Sequence, residues 1–140
     1  MASIQIDIVS AEGQIHHGEA AMVFAPAEEG EVGIAPKHSP LLTRLSPGEV
    51  VVQTESKEKL HFFVGGGILE VQPNQVTVLA DTALRAKDAD EAAAQEARRS
   101  AEEKLARANG DIDMARAQAE LAQAAALVKF VKDLKRRHRG

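Results

Sequence analysis

Over residues 1–80, apolar positions come in short runs divided by turn residues. Ile4, Ile6 and Ile8 alternate with polar neighbours. Val23-Phe24, Val32-Gly33-Ile34, Leu41-Leu42, Val50-Val51-Val52, Phe62-Phe63-Val64, Ile68-Leu69 with Val71, and Val76 to Leu79 follow. Breaks at Glu12-Gly13, Glu29-Gly30, Ser46-Pro47-Gly48, Ser56-Lys57 and Pro73-Asn74 keep each run short. Short strands with regular turns predict an antiparallel sandwich or barrel. Past residue 80 the spacing becomes helical. Asp88 with Glu91 three residues on forms a capping-box pattern for a first helix. Asn109-Gly110 is a stop signal, with glycine in the left-handed C′ position, and Asp111 or Asp113 then caps a second helix. At ~1.5 Å per residue the two helices reach roughly 30 and 40 Å, and so short a turn makes them an antiparallel hairpin.

The helical stripes are uneven. The first helix offers Ala93, Ala97, Ala101, Leu105 and Ala108; the second offers Met114, Ala117, Leu121, Ala125, Val128, Val131 and Leu134. A buried alanine methyl contributes about 0.8 kcal/mol, against ~1.5–3 kcal/mol for a large aliphatic side chain. Such a hairpin has strong helicity and a thin adhesive face. It is either an arm able to change docking sites without melting or a static alanine-rich pair.

Composition sharpens the division. All five prolines precede residue 80, whereas alanine crowds into 83–126, and branched residues favour strands as alanine favours helix. The expectation is an α+β chain: an antiparallel β-sandwich over 1–86, then an antiparallel two-helix hairpin over 87–140. The absence of cysteine excludes disulfides, thiolate chemistry and Cys-bound zinc, and fits a reducing compartment. No apolar run approaches the ~18 residues of a membrane-spanning helix, and the N-terminus lacks the basic and apolar regions of a signal peptide. A net charge of −4 gives no overall pull toward nucleic acid, and four phenylalanines without Trp or Tyr make a poor base-stacking platform.

Candidate chemistry is sparse. Gly65-Gly66-Gly67 is followed by a strand rather than a helix and lacks Lys-Ser or Lys-Thr, so it reads as a bulge or sheet corner and not a phosphate loop. His16 and His17, adjacent on a strand, point to opposite faces and form no metal site. His38-Ser39 has no third catalytic member, and no Gly-x-Ser-x-Gly elbow exists. The C-terminus is different: Lys129, Lys132, Lys135, Arg136, Arg137 and Arg139 stand against the single acid Asp133, beside Val128, Phe130, Val131 and Leu134. A basic amphipathic segment of this kind suits an acidic protein surface, an anionic membrane or phosphate; the bland alternative is a solvated helix end favoured by the helix dipole.

The strings Gly30-Glu31-Val32-Gly33-Ile34-Ala35-Pro36-Lys37-His38-Ser39-Pro40-Leu41-Leu42-Thr43 and Gly66-Gly67-Ile68-Leu69-Glu70-Val71-Gln72-Pro73 resemble the epsilon subunit of bacterial F-type ATP synthases. Val76-Thr77-Val78-Leu79-Ala80-Asp81-Thr82-Ala83, the Ile8-Val9-Ser10-Ala11-Glu12 start and the Gly110-Asp111-Ile112-Asp113 turn agree, so the resemblance spans essentially the whole chain. It implies a non-catalytic rotor subunit without metal or cofactor, binding the gamma shaft and the c-subunit ring and coupling proton flow to ATP synthesis. It implies contact with gamma and the c ring through Glu31, His38, Ser39 and Pro40. It also implies a hairpin that extends toward the alpha and beta subunits of the catalytic head and inhibits ATP hydrolysis, the basic residues Lys129, Lys132, Lys135, Arg136 and Arg137 meeting acidic surfaces there. The implied location is the cytoplasmic face of the bacterial plasma membrane, held indirectly through the complex, with no nucleic-acid partner.

One stretch departs from the family. Members that bind ATP at the hairpin carry an aliphatic residue, Asp, two variable residues, then Arg-Ala. Here Ala89-Asp90-Glu91-Ala92-Ala93-Ala94 matches at Asp90 and Ala94 and has alanine in place of both the aliphatic residue and the arginine. Alanine cannot pair with phosphate as arginine does. Arg98 and Arg99, a turn or more further on, are the candidate replacements. The alternative function is therefore an ATP-sensing module in which the hairpin clamps nucleotide; a third is a membrane-surface or nucleic-acid binder acting through the basic tail.

Overall fold

The computed structural model describes residues 2–139, with the side chains of His138 and Arg139 outside the described set. The chain forms two compact units, Met1–Ala86 and Lys87–Gly140.

Among the described residues the first unit holds eight strands: β1 (Ile4–Ser10), β2 (Gly13–Ala20), β3 (Met22–Ala27), β4 (Gly30–Ile34), β5 (Leu41–Gln53), β6 (Lys59–Gln72), β7 (Gln75–Ala80) and β8 (Ala83–Arg85). Their pairing order is β2-β1-β7-β6-β5-β3-β4, with β8 on β6. β5 and β6 run antiparallel from Leu41↔Val71 to Gln53↔Lys59 and serve both layers of a sandwich. Leu69 and Val71 of β6 lie beside β7, whereas Phe62, Phe63 and Val64 lie beside β8. The change of partner falls at Gly65-Gly66-Gly67, so the glycine run is a sheet corner. Gly66 and Gly67 take φ of 103° and 135°, and a Cβ on Gly67 would lie 2.1 Å from the Leu79 carbonyl oxygen. Only glycine permits that approach.

Alternation sorts side chains into an inside and an outside. Ile4, Ile6, Ile8, Val23, Ile34, Val50, Val52, Val64, Leu69, Val71, Val76 and Val78 form one fully buried core. At ~1.5–3 kcal/mol per large side chain, this core dominates the unit's stability. One expectation is corrected. β1 and β7 are parallel, Gln5↔Gln75 to Val9↔Leu79, so the sandwich is not wholly antiparallel. The pair joins the start of the unit to its end, and the intervening strands supply the long connection that parallel neighbours require.

The second unit is a helix pair, α1 (Glu91–Arg107) and α2 (Asp111–Arg139). Its signals act slightly away from the expected positions. Asp88 lies in a single 3-10 turn over Ala86–Asp88, and the N-cap of α1 is Asp90, whose Oδ1 accepts from the Ala92 N–H at 3.2 Å. α1 ends at an extended Ala108. Gly110, with φ of 86°, immediately precedes α2, its carbonyl accepting from Met114 N–H at 3.0 Å, so it is not the C′ residue of α1. Asp111 and Asp113 lie within the first turn of α2, favourable to its dipole but not its cap.

The expected stripes hold over Ala101, Leu105 and Ala108 of α1 and over Ala117, Leu121, Val128, Val131 and Leu134 of α2, and differ at the start of α1, at Met114 and at Ala125. On α1, Ala94 and Ala101 are buried, and Arg98, Leu105 and Ala108 are half-buried, while Ala93 and Ala97 are exposed. On α2 the stripe is Ala117, Leu121, Ala124, Val128 and Val131, with Met114 and Ala125 exposed. Both follow the alternating three- and four-residue spacing of a helix-pair seam. Ion pairs join the helices at Lys104–Glu120, 2.8 Å, and Lys135–Glu91, 2.9 Å.

Candidate functional site

The residues of Gly30–Pro40 divide between an edge strand and the turn that leaves it. Glu31 is exposed on β4, opposite Pro26. The chain then turns: His38 N–H donates to the Ala35 carbonyl at 3.2 Å, and Lys37, at φ 69°, donates its N–H to the Pro73 carbonyl at 2.7 Å. That bond ties the turn to the connection between β6 and β7. His38 Nδ1 lies 2.7 Å from the Ser39 carbonyl, so its ring braces the turn. Ser39 and Pro40 are exposed and lead directly into β5. His38, Ser39 and Pro40 thus form one surface, while Glu31 lies on the edge strand and makes no hydrogen bond with them among the described residues.

The strand registers extend this surface. Opposed residues share a face, so Val9, Leu79, Ile68 and Arg44 form one row across β1, β7, β6 and β5, and Asp7, Thr77, Glu70 and Leu42 form the next. Leu42, Leu79 and Ile68 are 71%, 50% and 44% exposed. They make an apolar ridge on the outer face of the sandwich, two residues beyond Pro40. The sequence does contain its signal: Leu41-Leu42, Ile68-Leu69 and Val78-Leu79 are adjacent apolar pairs, and neighbours on a strand point opposite ways, so one of each must face outward.

Beyond the ridge the same face turns polar. Asp7 pairs with His17 and accepts from Gln75 Nε2 at 2.6 Å and Gln14 Nε2 at 3.3 Å. His16 points the other way, its ring 5.0 Å from that of Phe62. Burial, with the neighbouring charges of His17 and Arg85, holds its pKa below the ordinary histidine value of 6.5. Among the described residues, no three His, Asp or Glu side chains gather as a metal-ligand set, and no helix is long and apolar enough to cross a membrane.

At the hairpin start, the residues considered for nucleotide are already engaged. Asp90 caps α1, Arg98 donates to Gln95 Oε1 at 2.9 Å, and Arg99 is paired with both Glu96 and Glu103. Ala94 is buried.

The basic end of α2 presents charge but little apolar surface, because Val128, Phe130 and Val131 are buried. Lys129 and Arg136 both reach Asp133, each at 3.0 Å, and the Lys129 hydrogen bond chiefly lowers the Asp133 pKa. Lys135 pairs with Glu91 on α1. Lys132 and Arg137 are exposed; the Arg139 side chain lies outside the described residues.

This two-part build has relatives. The family described as ATP synthase, Delta/Epsilon chain, beta-sandwich domain matches residues 3–86, and the corresponding long alpha-helix domain matches residues 82–132. The chain belongs to the ATP synthase delta/epsilon family. Proteins named ATP synthase epsilon chain from Alkalilimnicola ehrlichii and Halorhodospira halophila are 58% and 56% identical to it, over 98% of both chains in each case. The epsilon-type assignment makes it a non-catalytic subunit of an F-type ATP synthase. The fold recurs in a chain of the Euglena gracilis mitochondrial ATP synthase, with a TM-score of 0.76 at 20% identity, covering 91% of this chain and 80% of that one. It recurs again in the Tetrahymena thermophila mitochondrial ATP synthase central stalk and c ring, with a TM-score of 0.63 at 12% identity, covering 91% and 96%.

Proposed function

We propose that this chain is a central-stalk subunit that couples the gamma shaft to the c-subunit ring of a proton-translocating ATP synthase. Its hairpin acts as an arm that restrains ATP hydrolysis. The sandwich is the rotor-binding part and the helix pair the regulatory part. The observation that carries the reading is the ridge of Leu42, Ile68 and Leu79, continuous with the His38–Pro40 turn. Three large apolar side chains in two adjacent rows of an outer sheet face are costly to leave in water, and a partner surface that covers them recovers that cost. The gamma shaft is that partner; Glu31, His38, Ser39 and Pro40 extend the contact to gamma and the c ring.

The basic end of α2, Lys129, Lys132, Lys135, Arg136 and Arg137, is the part of the arm that meets acidic surfaces of the alpha and beta subunits. Its buried apolar side favours a protein contact through charge over insertion into a membrane. The complex, rather than the chain itself, provides the attachment at the cytoplasmic face of the bacterial membrane. An ATP-clamping hairpin draws no support: alanine occupies position 93, Asp90 is a helix cap, and Arg99 is bound by two glutamates.

Purification of the ATP synthase through a tag on this chain tests the reading. A gamma-type shaft protein and the c ring should be recovered in stoichiometric amounts. Recovery of the chain alone, from membranes in which the synthase is otherwise intact, would refute it.

A further inference from the structure

The basic residues at the end of α2 differ in one respect that bears on the arm. Lys129 and Arg136 are paired with Asp133 at i,i+4 and i,i+3 spacing, so their partner travels with them on the same helix. Lys135 is held instead by Glu91, 44 residues away, with Nζ 2.9 Å from Oε1. Glu91 is the first residue of α1, and Lys135 lies near the end of α2. Their pair closes the mouth of the hairpin, at the end opposite the Ala108–Gly110 turn. A further interhelical pair, Lys104–Glu120, lies near the turn, where the helices stay close even when the mouth parts. Separating the helices at the mouth therefore breaks Glu91–Lys135 first and releases a lysine that the closed hairpin engages.

We propose that Glu91 is an electrostatic latch on the hairpin. It occupies Lys135 in the closed state and competes for it with the acidic partner surface of the open state. The proposal rests on the reading of the hairpin as a hydrolysis-restraining arm and adds its control point. One cation serves two mutually exclusive partners, one within the chain and one outside it. Near this end Ala94 of α1 and Val128 and Val131 of α2 are buried, so the pair adds a modest bias to an apolar seam. Lys135 and Glu91 remain 54% and 39% exposed. An exposed pair of this kind shifts an equilibrium about two- to fourfold, and salt screens it. The latch biases the arm without locking it, and raised ionic strength weakens both of its alternatives.

The test uses the full chain, whose lack of cysteine makes an introduced thiol unique. Ala94 and Ala124 are both buried. Ala94→Cys, near the mouth, therefore reacts with a thiol reagent only when the hairpin opens, and Ala124→Cys is a second probe should the first disturb folding. In either background, Glu91→Gln and Lys135→Gln should each raise the labelling rate about two- to fourfold. The double variant should label no faster than either single one, and the exchanged pair Glu91→Lys with Lys135→Glu should restore the slow rate. The differences should vanish near ~1 M salt, where the screening length is about 3 Å. Because Glu91 also faces the α1 dipole, the lysine variant and the cycle separate the pair from that effect. Labelling at the parental rate in both single variants, or effects that multiply in the double, would overturn the latch. In the assembled synthase, Glu91→Gln should lower ATP hydrolysis by favouring the open arm. Faster labelling with unchanged hydrolysis would leave the latch standing and refute the inhibitory arm instead.

Discussion

The ridge makes a quantitative demand on binding. Leu42 leaves 71% of its surface in water, Leu79 50% and Ile68 44%. On a scale of ~1.5–3 kcal/mol for burying a whole large aliphatic side chain, covering all three contributes about 3–4 kcal/mol to association. Replacing them together by threonine, a polar β-branched residue that suits a strand, should weaken binding to the shaft subunit about 10²- to 10³-fold. Leu42→Thr alone should cost about 1–2 kcal/mol, or roughly tenfold. Stability should barely change, because surface substitutions of this kind stay within about 0.5 kcal/mol each. Leu69→Thr is the contrast. It is the chain neighbour of Ile68, points inward and is fully buried, so it should cost about 3 kcal/mol of stability. Calorimetric titration against the shaft subunit, with thermal melts of each variant, measures both quantities. If the triple variant melts and binds like the parent, the ridge is not the docking surface and the reasoning fails.

Asp90→Ala removes the α1 cap and should lower helix-pair stability by about 1 kcal/mol, seen as an earlier loss of helical circular dichroism on heating, whereas Asp88→Ala should do much less. His16, held below its ordinary pKa of 6.5 by burial, binds protons more readily once unfolded. Stability should therefore fall as pH drops below about 6.5 toward its folded-state pKa, and His16→Phe, which keeps a ring against Phe62, should flatten that slope in melts across pH 5–7. With alanine at position 93 and Arg99 bound to Glu96 and Glu103, calorimetry with ATP and magnesium should detect no micromolar binding by the isolated chain. Such affinity would restore the nucleotide-clamp reading.

The strands were legible because alternation and turn residues are local. Ile4, Ile6 and Ile8 announce a half-buried strand unaided, and a glycine triplet ahead of Ile68-Leu69 points to a corner. The parallel pairing of β1 with β7 was not legible, since Gln5 and Gln75 carry no local mark of being neighbours. The helical phase was legible over most of the hairpin, where Leu105, Leu121, Val128 and Val131 are large enough to mark it, but not at the start of α1. Alanine at 92, 93, 94, 97 and 101 offers several equally apolar stripes, and tertiary packing chose the one through Ala94 and Ala101. The cap expected at Asp88 falls instead at Asp90, because a 3-10 turn over Ala86–Asp88 takes up the first. At the candidate site, the turn around His38 was visible in the sequence. The ridge was hidden because Leu42, Ile68 and Leu79 sit beside core residues and read as part of them. The partner of Lys135 was out of reach, since Glu91 becomes its neighbour only when the hairpin closes.

The division of labour between the two units can be measured in one reconstituted enzyme. The core of the first unit is drawn entirely from residues at or before Ala83, so a chain ending at Asp88 retains the sandwich and its ridge and lacks both helices. Synthase rebuilt with this shortened chain should still pump protons on ATP addition and should hydrolyse ATP faster than enzyme carrying the full chain. Lost pumping, or hydrolysis no faster than with the full chain, would contradict a rotor-binding sandwich joined to a restraining arm.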